Sequence, residues 1–547
     1  MKTATSPIGW TDRLQRQWPA VLSVWSGLAL FAAFEPFRVG NLAFVALIPW
    51  MAALRARPEQ CKRLSFLAGV AFWVPAVWFI SPVTKAGALT LALYCALWWV
   101  PSGVLWSRAL VNWRREKPLM GIRFLLGASA WWCLMEWARG WAFTGFPWNG
   151  LGVSQVDNLP LIQLASLGGV EAVSFVVVAM NWGIGLSAFS FAQTLRARGA
   201  RRMHPELYVP ILMLAVAFSW GMRQIRAERN APVHRLRVGV VQPNIEVKWE
   251  AESAADIRRH LWELSDLALS QRPDLLLWPE TALPDELRFS RESANLVQSL
   301  VDEHGIPILL GSLDVKITET EDPAAPDVTY FNAAMLIRGD GVLEAIYLKR
   351  HLVMFGEYMP FARSFPFLRS LTPMPEDVTP GTEVGVMDLP GSDDRPDIRV
   401  GLLICFEDLM PYLSRDLVDA GAELFVNLTN DGWFDPWWGS RAHLDHAVFR
   451  SIEQRRPTVR CTNTGVSAWI DTQGVVRDRV EDPQSGEYRV RGFSTFDLEI
   501  PRTPASTFYH RNPALFPIVW GLLSLLLPWR PASGAGTGTQ NDNRENL

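Results

Sequence analysis

Residues 400–408 read Val-Gly-Leu-Leu-Ile-Cys-Phe-Glu-Asp, an apolar run that ends in Cys405. A short apolar run of this kind, bounded by polar residues, is typical of a buried β-strand. In α/β folds the carboxyl ends of such strands carry the reactive groups. The stretch therefore predicts an α/β domain in which one strand delivers the Cys405 thiol to a site.

Two other runs in the same half of the chain place a functional group directly after a strand. Residues 275–278 (Leu-Leu-Leu-Trp) are followed by Pro279 and Glu280, and residues 345–348 (Ala-Ile-Tyr-Leu) are followed by Lys349. Other strand-like runs at 236–242, 307–310, 333–338 and 424–427 alternate with helix-like stretches at 251–271, 291–304 and 440–455. That alternation indicates an α/β domain, and we expect Glu280, Lys349 and Cys405 to meet in one site.

These three side chains suit covalent catalysis. A free cysteine has a pKa of about 8.5, so its thiol needs a neighbouring base or cation before it becomes a nucleophile. Glu280 can be that base. Lys349 can supply positive charge beside the thiolate and beside the oxyanion of a tetrahedral intermediate.

The same residues resemble the Glu-Lys-Cys triad of the nitrilase (carbon–nitrogen hydrolase) superfamily. Residues 349–360 (Lys-Arg-His-Leu-Val-Met-Phe-Gly-Glu-Tyr-Met-Pro), with 430–434 and 462–465, are similar to segments of the apolipoprotein N-acyltransferases, the membrane-embedded branch of that superfamily. In the first half of the chain, residues 136–141, 144–148, 163–165 and 168–170 also resemble these acyltransferases and are not expected in soluble nitrilases. The resemblance therefore extends over nearly the whole chain.

The resemblance implies an αββα sandwich, in which two mixed sheets pack face to face with helices outside. It implies transfer of an acyl chain from a phospholipid, through a thioester on Cys405, to the α-amino group of the amino-terminal diacylglyceryl-cysteine of an apolipoprotein. It further implies a bacterial inner membrane with the catalytic domain on the periplasmic side. We expect neither an organic cofactor nor a nucleic acid partner.

The resemblance also assigns residues around the triad. Glu357 and Glu407 would assist catalysis or hold the site, and each could instead be a buried carboxylate that ties down Lys349 or a turn. Trp249 matches a functional position but could equally be a packing residue. Phe406 stands where the family usually has Tyr, and Met354 replaces a common Pro. The expected lid and substrate-binding residues are Phe355, Gly356, Tyr358, Asn430 and Trp433.

Composition divides the chain into two parts. Over all 547 residues 49% are hydrophobic and 20% are charged, but long apolar stretches are confined to the region before about residue 220 and to one stretch near the end. We expect a transmembrane domain at 1–224 with about seven spans, a catalytic domain at 233–505, a final transmembrane helix at 513–529 and a disordered tail at 531–547. The predicted spans are 18–35, 40–54, 65–81, 87–107, 122–138, 161–193, 206–224 and 513–529.

Basic loops predict the orientation of these spans. Clusters of Lys and Arg lie before the first span and after the second, fourth and sixth, all on one side, and positive loops stay in the cytoplasm. A cleaved signal peptide is an alternative for residues 1–35, but no clear small-x-small cleavage site follows.

Two other functional hypotheses remain open on the sequence. One is a membrane-anchored nitrilase-type amidase, and the other is a lipid-binding protein without activity. The motifs of residues 136–169 argue against the first and the complete triad against the second. The five cysteines show no metal-ligand spacing and are an odd number, and His443 and His446 lack further ligands, so no metal site is expected.

Overall fold

The computed structural model describes residues 10–197, 204–228, 232–245, 253–318, 327–360, 362, 364–365, 367, 377–391, 395–434 and 437–530. Trp249 and the predicted tail at 531–547 lie outside these residues. The first part of the chain is helical, the second part contains two sheets, and a last helix returns to the first part.

The helices of the first part bury apolar residues against one another in one continuous core. They are α1 Trp10–Phe31, α2 Ile48–Ala56, α3 Cys61–Ala76, α4 Lys85–Leu97, α5 Trp99–Asn112, α6 Pro118–Arg139, α7 Leu159–Ile162, α8 Ala165–Ala197 and α9 Pro205–Glu228. At the end of the chain α14 Phe508–Arg511 and α15 Leu515–Ser524 pack against α8 and α6 respectively.

Within the described residues, four helical stretches are long and apolar enough to cross a membrane: Lys85–Asn112, Pro118–Arg139, Ala165–Leu195 and Pro205–Glu228. Two other predicted spans are shorter than expected, because α2 has 9 residues and α15 has 10. A helix needs roughly 20 residues to cross a hydrocarbon layer of about 30 Å. The structure thus supports four spans, and the predicted number of eight stays a prediction.

The second part contains twelve strands in the described ranges, arranged in two six-stranded mixed sheets. The strands are β1 Val233–Gln242, β2 Leu275–Leu277, β3 Ile308–Thr318, β4 Asp327–Ile337, β5 Leu343–Leu348, β6 Val386–Leu389, β7 Ile398–Ile404, β8 Leu424–Thr429, β9 Thr458–Thr462, β10 Ala468–Ile470, β11 Val476–Arg479 and β12 Gly492–Pro501. The sheet orders are β12-β1-β2-β3-β4-β5 and β11-β10-β9-β8-β7-β6. In each sheet three central strands are parallel, β1-β2-β3 and β7-β8-β9.

Apolar residues from both sheets form the inner core, with Val238 and Leu277 on one side and Leu402 and Val426 on the other. Helices α10 Ala254–Leu269 and α11 Arg291–His304 cover the outer face of the first sheet. Helix α12 Pro411–Asp419 packs on the outer face of the second sheet, near α13 Trp438–Gln454. The predicted αββα sandwich is confirmed, and each run predicted as a strand overlaps an observed strand, with limits that extend one residue beyond it at 278, 307 and 338.

Helix α13 joins the two parts of the molecule, because its other side packs on α8. The Val170 N–H of α8 donates to Glu453 Oε1 at 3.1 Å, and Arg455 donates to Gln163 Oε1 at 2.8 Å. The Asn149 N–H donates to His446 Nε2 at 3.2 Å. Buried hydrogen bonds of this kind fix the sandwich in one position on the helical part.

Candidate active site

Three strand ends bring the predicted triad together. Glu280 is the third residue after β2, Lys349 directly follows β5, and Cys405 directly follows β7. The first two strands belong to one sheet and the third to the other. The site therefore lies where the carboxyl ends of strands from both sheets meet. The expectation that Glu280, Lys349 and Cys405 share one site agrees with this geometry.

Lys349 is 1% exposed and lies between two carboxylates. Its Nζ is 2.9 Å from Glu357 Oε1 and 3.4 Å from Glu280 Oε1. Burial alone would lower the pKa of Lys349, but the charges of Glu357 and Glu280 outweigh it and raise that pKa above its ordinary value. The ammonium is therefore permanently charged and cannot serve as a base near neutral pH.

Glu280 is also held by neutral donors. Asn332 Nδ2 donates to its Oε1 at 2.8 Å, and the Asn430 N–H donates to its Oε2 at 3.0 Å. Burial raises the pKa of Glu280 above its ordinary value, and Lys349 lowers it while Glu357 raises it. A carboxyl with a raised pKa is a better proton acceptor at neutral pH, which is what a general base requires.

Cys405 stands on a sharp turn, with a φ of 52° in the left-handed region. Its thiol interacts electrostatically with Glu280 and with Thr429, and its carbonyl oxygen accepts from Asn427 Nδ2 at 3.0 Å. Burial raises the pKa of the Cys405 thiol well above its ordinary value, as does the charge of Glu280, whereas Lys349 lowers it. The resting group is therefore a thiol, and a reaction that used it as a nucleophile would need a base to accept its proton.

Glu407 does not contact Lys349 directly. It accepts hydrogen bonds from the backbone N–H groups of Arg350, His351 and Ile404 at 2.8–2.9 Å, and from the Tyr347 hydroxyl. These bonds join the turn after β5 to the turn after β7. Glu407 thus positions the backbone around Lys349 and Cys405, whereas Glu357 bonds Lys349 itself.

One of the expected lid residues, Tyr358, lines a cavity between the two parts of the molecule. Phe355 is 44% exposed and has a φ of 66°, and its N–H donates to the Tyr358 carbonyl. Gly356 lies in the same turn, and Tyr358 and Thr144 of the helical part both line the cavity. The cavity has a volume of about 450 Å³, and its lining includes Tyr358, His351, Trp141, Phe143 and Tyr412.

The remaining predicted residues fall into two groups. Asn430 bonds Glu280 through its N–H, and its side chain accepts from Asn463 at 3.1 Å, whereas Trp433 lies half-buried in the short 3₁₀ turn that follows. Phe406 stacks on Phe146 at 6.2 Å and on His351 at 6.0 Å. A phenyl ring therefore connects the catalytic turn to the helical part, and it needs no hydroxyl to do so.

Sequence reasoning missed four residues of the site: Asn332, Tyr347, Asn427 and Thr429. Each lies inside a strand, where it faces the site only because of the register. A lone amide in the apolar run of β4 or β8 was the available signal for Asn332 and Asn427. His443 and His446 do not pair with each other, since His443 binds two aspartates and His446 binds Asn149.

A single group among the described residues brings three possible metal-ligating side chains together, Asp266, Glu303 and His304. It lies on the outer helices α10 and α11 and is not near the triad. Carboxylates of this kind are common on surfaces without an ion.

Comparison with known proteins agrees with this two-part architecture. Residues 26–183 match the apolipoprotein N-acyltransferase N-terminal domain, and residues 237–487 match the carbon-nitrogen hydrolase domain. An apolipoprotein N-acyltransferase from Geobacter metallireducens is 31% identical over 84% of this chain and 86% of its own length. This chain belongs to the apolipoprotein N-acyltransferase family.

Other relatives cover even more of the chain. The apolipoprotein N-acyltransferase of Azotobacter vinelandii is 30% identical over 94% of this chain and 95% of its own. A solved amidase of the nitrilase superfamily from Nesterenkonia is similar to 52% of this chain and 97% of its own, with 16% identity and a TM-score of 0.36. The family match and the two sheets confirm the predicted nitrilase-type domain.

Proposed function

We propose that this protein moves an acyl chain from a phospholipid to the α-amino group of the amino-terminal diacylglyceryl-cysteine of apolipoproteins, through a thioester on Cys405. Family membership supports the overall reaction. The observation that carries the mechanism is the convergence of Glu280, Lys349 and Cys405 at the ends of three strands, with Lys349 Nζ 3.4 Å from Glu280 Oε1. These groups supply a nucleophile, a base and a fixed positive charge.

The first step forms the acyl-enzyme. Glu280 accepts the thiol proton as the sulfur attacks the ester carbonyl of the phospholipid, and the carbonyl oxygen becomes an oxyanion stabilised by Lys349. Collapse of the intermediate breaks the bond to the glycerol oxygen. Glu280 returns its proton to that oxygen, so a lysophospholipid leaves and a thioester remains.

The second step transfers the acyl group to the amine. The free α-amino group attacks the thioester carbonyl, Glu280 accepts a proton from the nitrogen, and the carbon–sulfur bond breaks. The proton on Glu280 then returns to the departing Cys405 sulfur. An amide forms and the enzyme regains its starting state.

Water must be excluded if the amine is to compete for the thioester. Phe406 packs against Phe146 of the helical part, so apolar side chains of that part border the catalytic turn. The neighbouring cavity extends from Trp141 to Tyr358. We infer that lipid chains enter laterally here, under a lid formed by Phe355, Gly356 and Tyr358, and that Asn430, Trp433 and Trp249 complete the substrate site.

The same proposal assigns the surroundings of the enzyme. About eight spans would hold the enzyme in a bacterial inner membrane, with the sandwich on the periplasmic side. The limits of the membrane and catalytic domains are those predicted from composition. Both substrates are then lipids of that membrane, a phospholipid donor and a diacylglyceryl-modified apolipoprotein acceptor. A helical part of this size is more than an anchor requires, which favours this function over the amidase.

Intact-protein mass spectrometry after incubation with phospholipid tests the mechanism. We expect an added acyl mass on the wild-type enzyme, lost when a diacylglyceryl-cysteinyl peptide is added and recovered on the peptide amine. Cys405→Ala should never carry that mass. Cys461→Ala is the matched control, because Cys461 lies within β9 of the same sheet and is buried with its sulfur 3.4 Å from two backbone carbonyl oxygens.

The alternatives give different results in the same experiment. An acyl group released only into water would indicate a hydrolase. Binding of phospholipid with no acyl mass on Cys405 would indicate a lipid-binding protein. Either result would contradict the proposed acyl transfer.

A further inference from the structure

Four charged side chains lie buried just behind the triad. They are Asp408 and Asp431, His443 of α13 and Arg460 of β9, and none is more than 1% exposed. His443 Nδ1 is 2.8 Å from Asp431 Oδ1, and His443 Nε2 is 2.8 Å from Asp408 Oδ1. Arg460 also bonds Asp408, and its other nitrogen is 3.6 Å from Asp431 Oδ2. We call these residues the buried charge cluster.

The geometry determines the charge of His443. A neutral imidazole has one N–H donor and one acceptor nitrogen, and a carboxylate accepts only, so two carboxylate contacts require both ring nitrogens to be protonated. With His443 charged, two positive groups balance two carboxylates. The pKa of His443 agrees: burial lowers it, but the charge of Asp408 and then that of Asp431 raise it to about 9 in total, against the opposing Arg460.

Both carboxylates belong to turns that carry the site. Asp408 is three residues after Cys405 in the same 3₁₀ turn, Cys405–Leu409. Asp431 directly follows Asn430, whose N–H bonds Glu280. Thr429 Oγ1 is 3.5 Å from Asp431 Oδ1, and Thr429 also interacts with the Cys405 thiol and lowers its pKa. His443 thus joins the turn of the nucleophile to the turn that orients the base.

The charge of Asp431 is also felt at the thiol, where it raises the pKa of Cys405. His443 and Arg460 contact Asp431, and their positive charges oppose that effect. His446 of the same helix is also near His443, and Arg450 and Arg139 act in turn on His446. Trp148 covers the His443 ring at 5.8 Å. Within the described residues, His443 therefore provides a positive charge against both carboxylates at once.

We propose that His443 is a positioning residue for the acyl-transfer site, which holds the Cys405 and Asn430 turns together and neutralises Asp431 behind the thiol. This inference rests on the proposed function for its biological meaning. Its test does not, because alkylation of Cys405 by iodoacetamide reports the thiol without any lipid.

The experiment measures the rate of Cys405 alkylation against pH in the full-length, detergent-solubilised protein, read by peptide mass. Cys405→Ala gives the background of the other cysteines. In His443→Gln the negative charge of Asp431 is less balanced, so we expect the alkylation profile to move up by about one pH unit and the rate at neutral pH to fall about tenfold. His446→Gln on the next turn of α13 is the matched control and should leave the profile unchanged.

Two further variants keep the test decisive if His443→Gln folds poorly. Asp431→Asn should move the profile down, because the carboxylate facing the thiol is lost while Asp408 still keeps the ring charged. Asp431→Asn combined with His443→Gln restores charge balance and should return the profile towards wild type. If His443 had only a structural role, the two substitutions would lower the alkylation rate additively and would not shift the pH profile in opposite directions.

Profiles that are the same for His443→Gln and wild type, or that move in one direction for both single variants, would overturn the positioning role. For acyl transfer itself, we expect His443→Gln to lower the maximal rate of acyl-enzyme formation without changing the phospholipid concentration that gives half of it. Absence of any acyl mass on wild type, with the alkylation shifts intact, would overturn the proposed function and leave the role of His443 standing.

Discussion

Lys349 shares its ammonium between Glu280 and Glu357, and this sharing sets the proton affinity of the base. Glu357 affects Glu280 in two ways, because its negative charge raises the pKa of Glu280 directly and its bond to Lys349 draws part of the positive charge away. Glu280 must be ionised to accept the thiol proton. The acid limb of activity should therefore follow the pKa of Glu280, which burial raises above its ordinary value.

Glu357→Gln should move that acid limb to lower pH. Removing the carboxylate lowers the pKa of Glu280, so the base stays ionised in more acidic solution. The maximal rate should fall by about 10–100-fold, because Lys349 loses its 2.9 Å partner and its orientation towards the oxyanion. The measurement is the pH dependence of acyl-enzyme formation from phospholipid.

Glu344→Gln is the control for this variant, since Glu344 lies exposed on β5 and only pairs with Arg338 at the surface. It should leave both the rate and the acid limb unchanged. An acid limb of Glu357→Gln that stays in place, or moves to higher pH, would contradict the role given to Glu357.

The triad could be predicted from the sequence because each member follows an apolar strand, and strand ends are visible as local patterns. Asn332 and Thr429 could not be predicted as site residues, because they are single polar residues within strands. Whether they face the site depends on the register with neighbouring strands, such as β3 for Asn332 and β7 for Thr429's strand β8. Trp249 was predicted as a functional residue, lies outside the described residues and stays a prediction.

Helix α8 contains a break that links it to the sandwich. Gly168 and Gly169 have non-helical dihedral angles, with φ 70° and ψ −179° at Gly169. Beyond the break a new helical segment begins, and its first N–H, at Val170, donates to Glu453 of α13. A carboxylate at a helix N-terminus is stabilised by the unpaired N–H groups and the helix dipole. The glycine pair thus places this N-terminus against the catalytic domain.

Gly169→Ala should disturb this junction. Its backbone conformation is essentially reserved for glycine and costs other residues about 1–3 kcal/mol. A Cβ would also lie 2.6 Å from Glu171 Oε2 and 2.9 Å from the Tyr509 ring. We expect a lower thermal midpoint in detergent and slower acyl-enzyme formation, measured by thermal unfolding and intact mass.

Gly521→Ala is the matched control in α15. A Cβ there meets nothing within 4 Å, and Ala is favoured over Gly inside a helix by up to about 1 kcal/mol. The thermal midpoint should stay equal or rise. If Gly169→Ala behaved like Gly521→Ala, the break would not depend on glycine.

Elements were predictable to the extent that their signals are local. Helix α11 was predicted at its exact limits, 291–304, because its caps Ser290 and Gly305 are visible in the sequence. The short strands β6, β10 and β11 have three or four residues each and depend on their partners for their shape. The single predicted span at 87–107 corresponds to α4 and α5, which meet at Trp98. Pro101 in the first turn of α5 has no N–H to donate to the Leu97 carbonyl, so it marks this boundary in the sequence.

At the scale of the whole molecule, the catalytic turn and the helical part are packed as one body. Phe406 stacks on Phe146, while Trp148 is fully buried between Phe79, Phe434 and His446. Aromatic packing of this kind is worth more than its buried area alone. The side of the membrane on which the helices present this surface therefore determines where the reaction takes place.

Two reporter cysteines with similar exposure would determine that orientation. Arg57→Cys lies between α2 and α3 in a predicted cytoplasmic loop, and Arg338→Cys lies on the sandwich after β4; the native side chains are 43% and 45% exposed. Both arginines make surface ion pairs, which contribute only about 0–1 kcal/mol.

In a background without Cys61 and Cys405, a membrane-impermeant maleimide should label Arg338→Cys in intact spheroplasts. It should label Arg57→Cys only after permeabilisation, because basic loops stay on the cytoplasmic side. The reverse pattern would place the sandwich in the cytoplasm and contradict the periplasmic reaction.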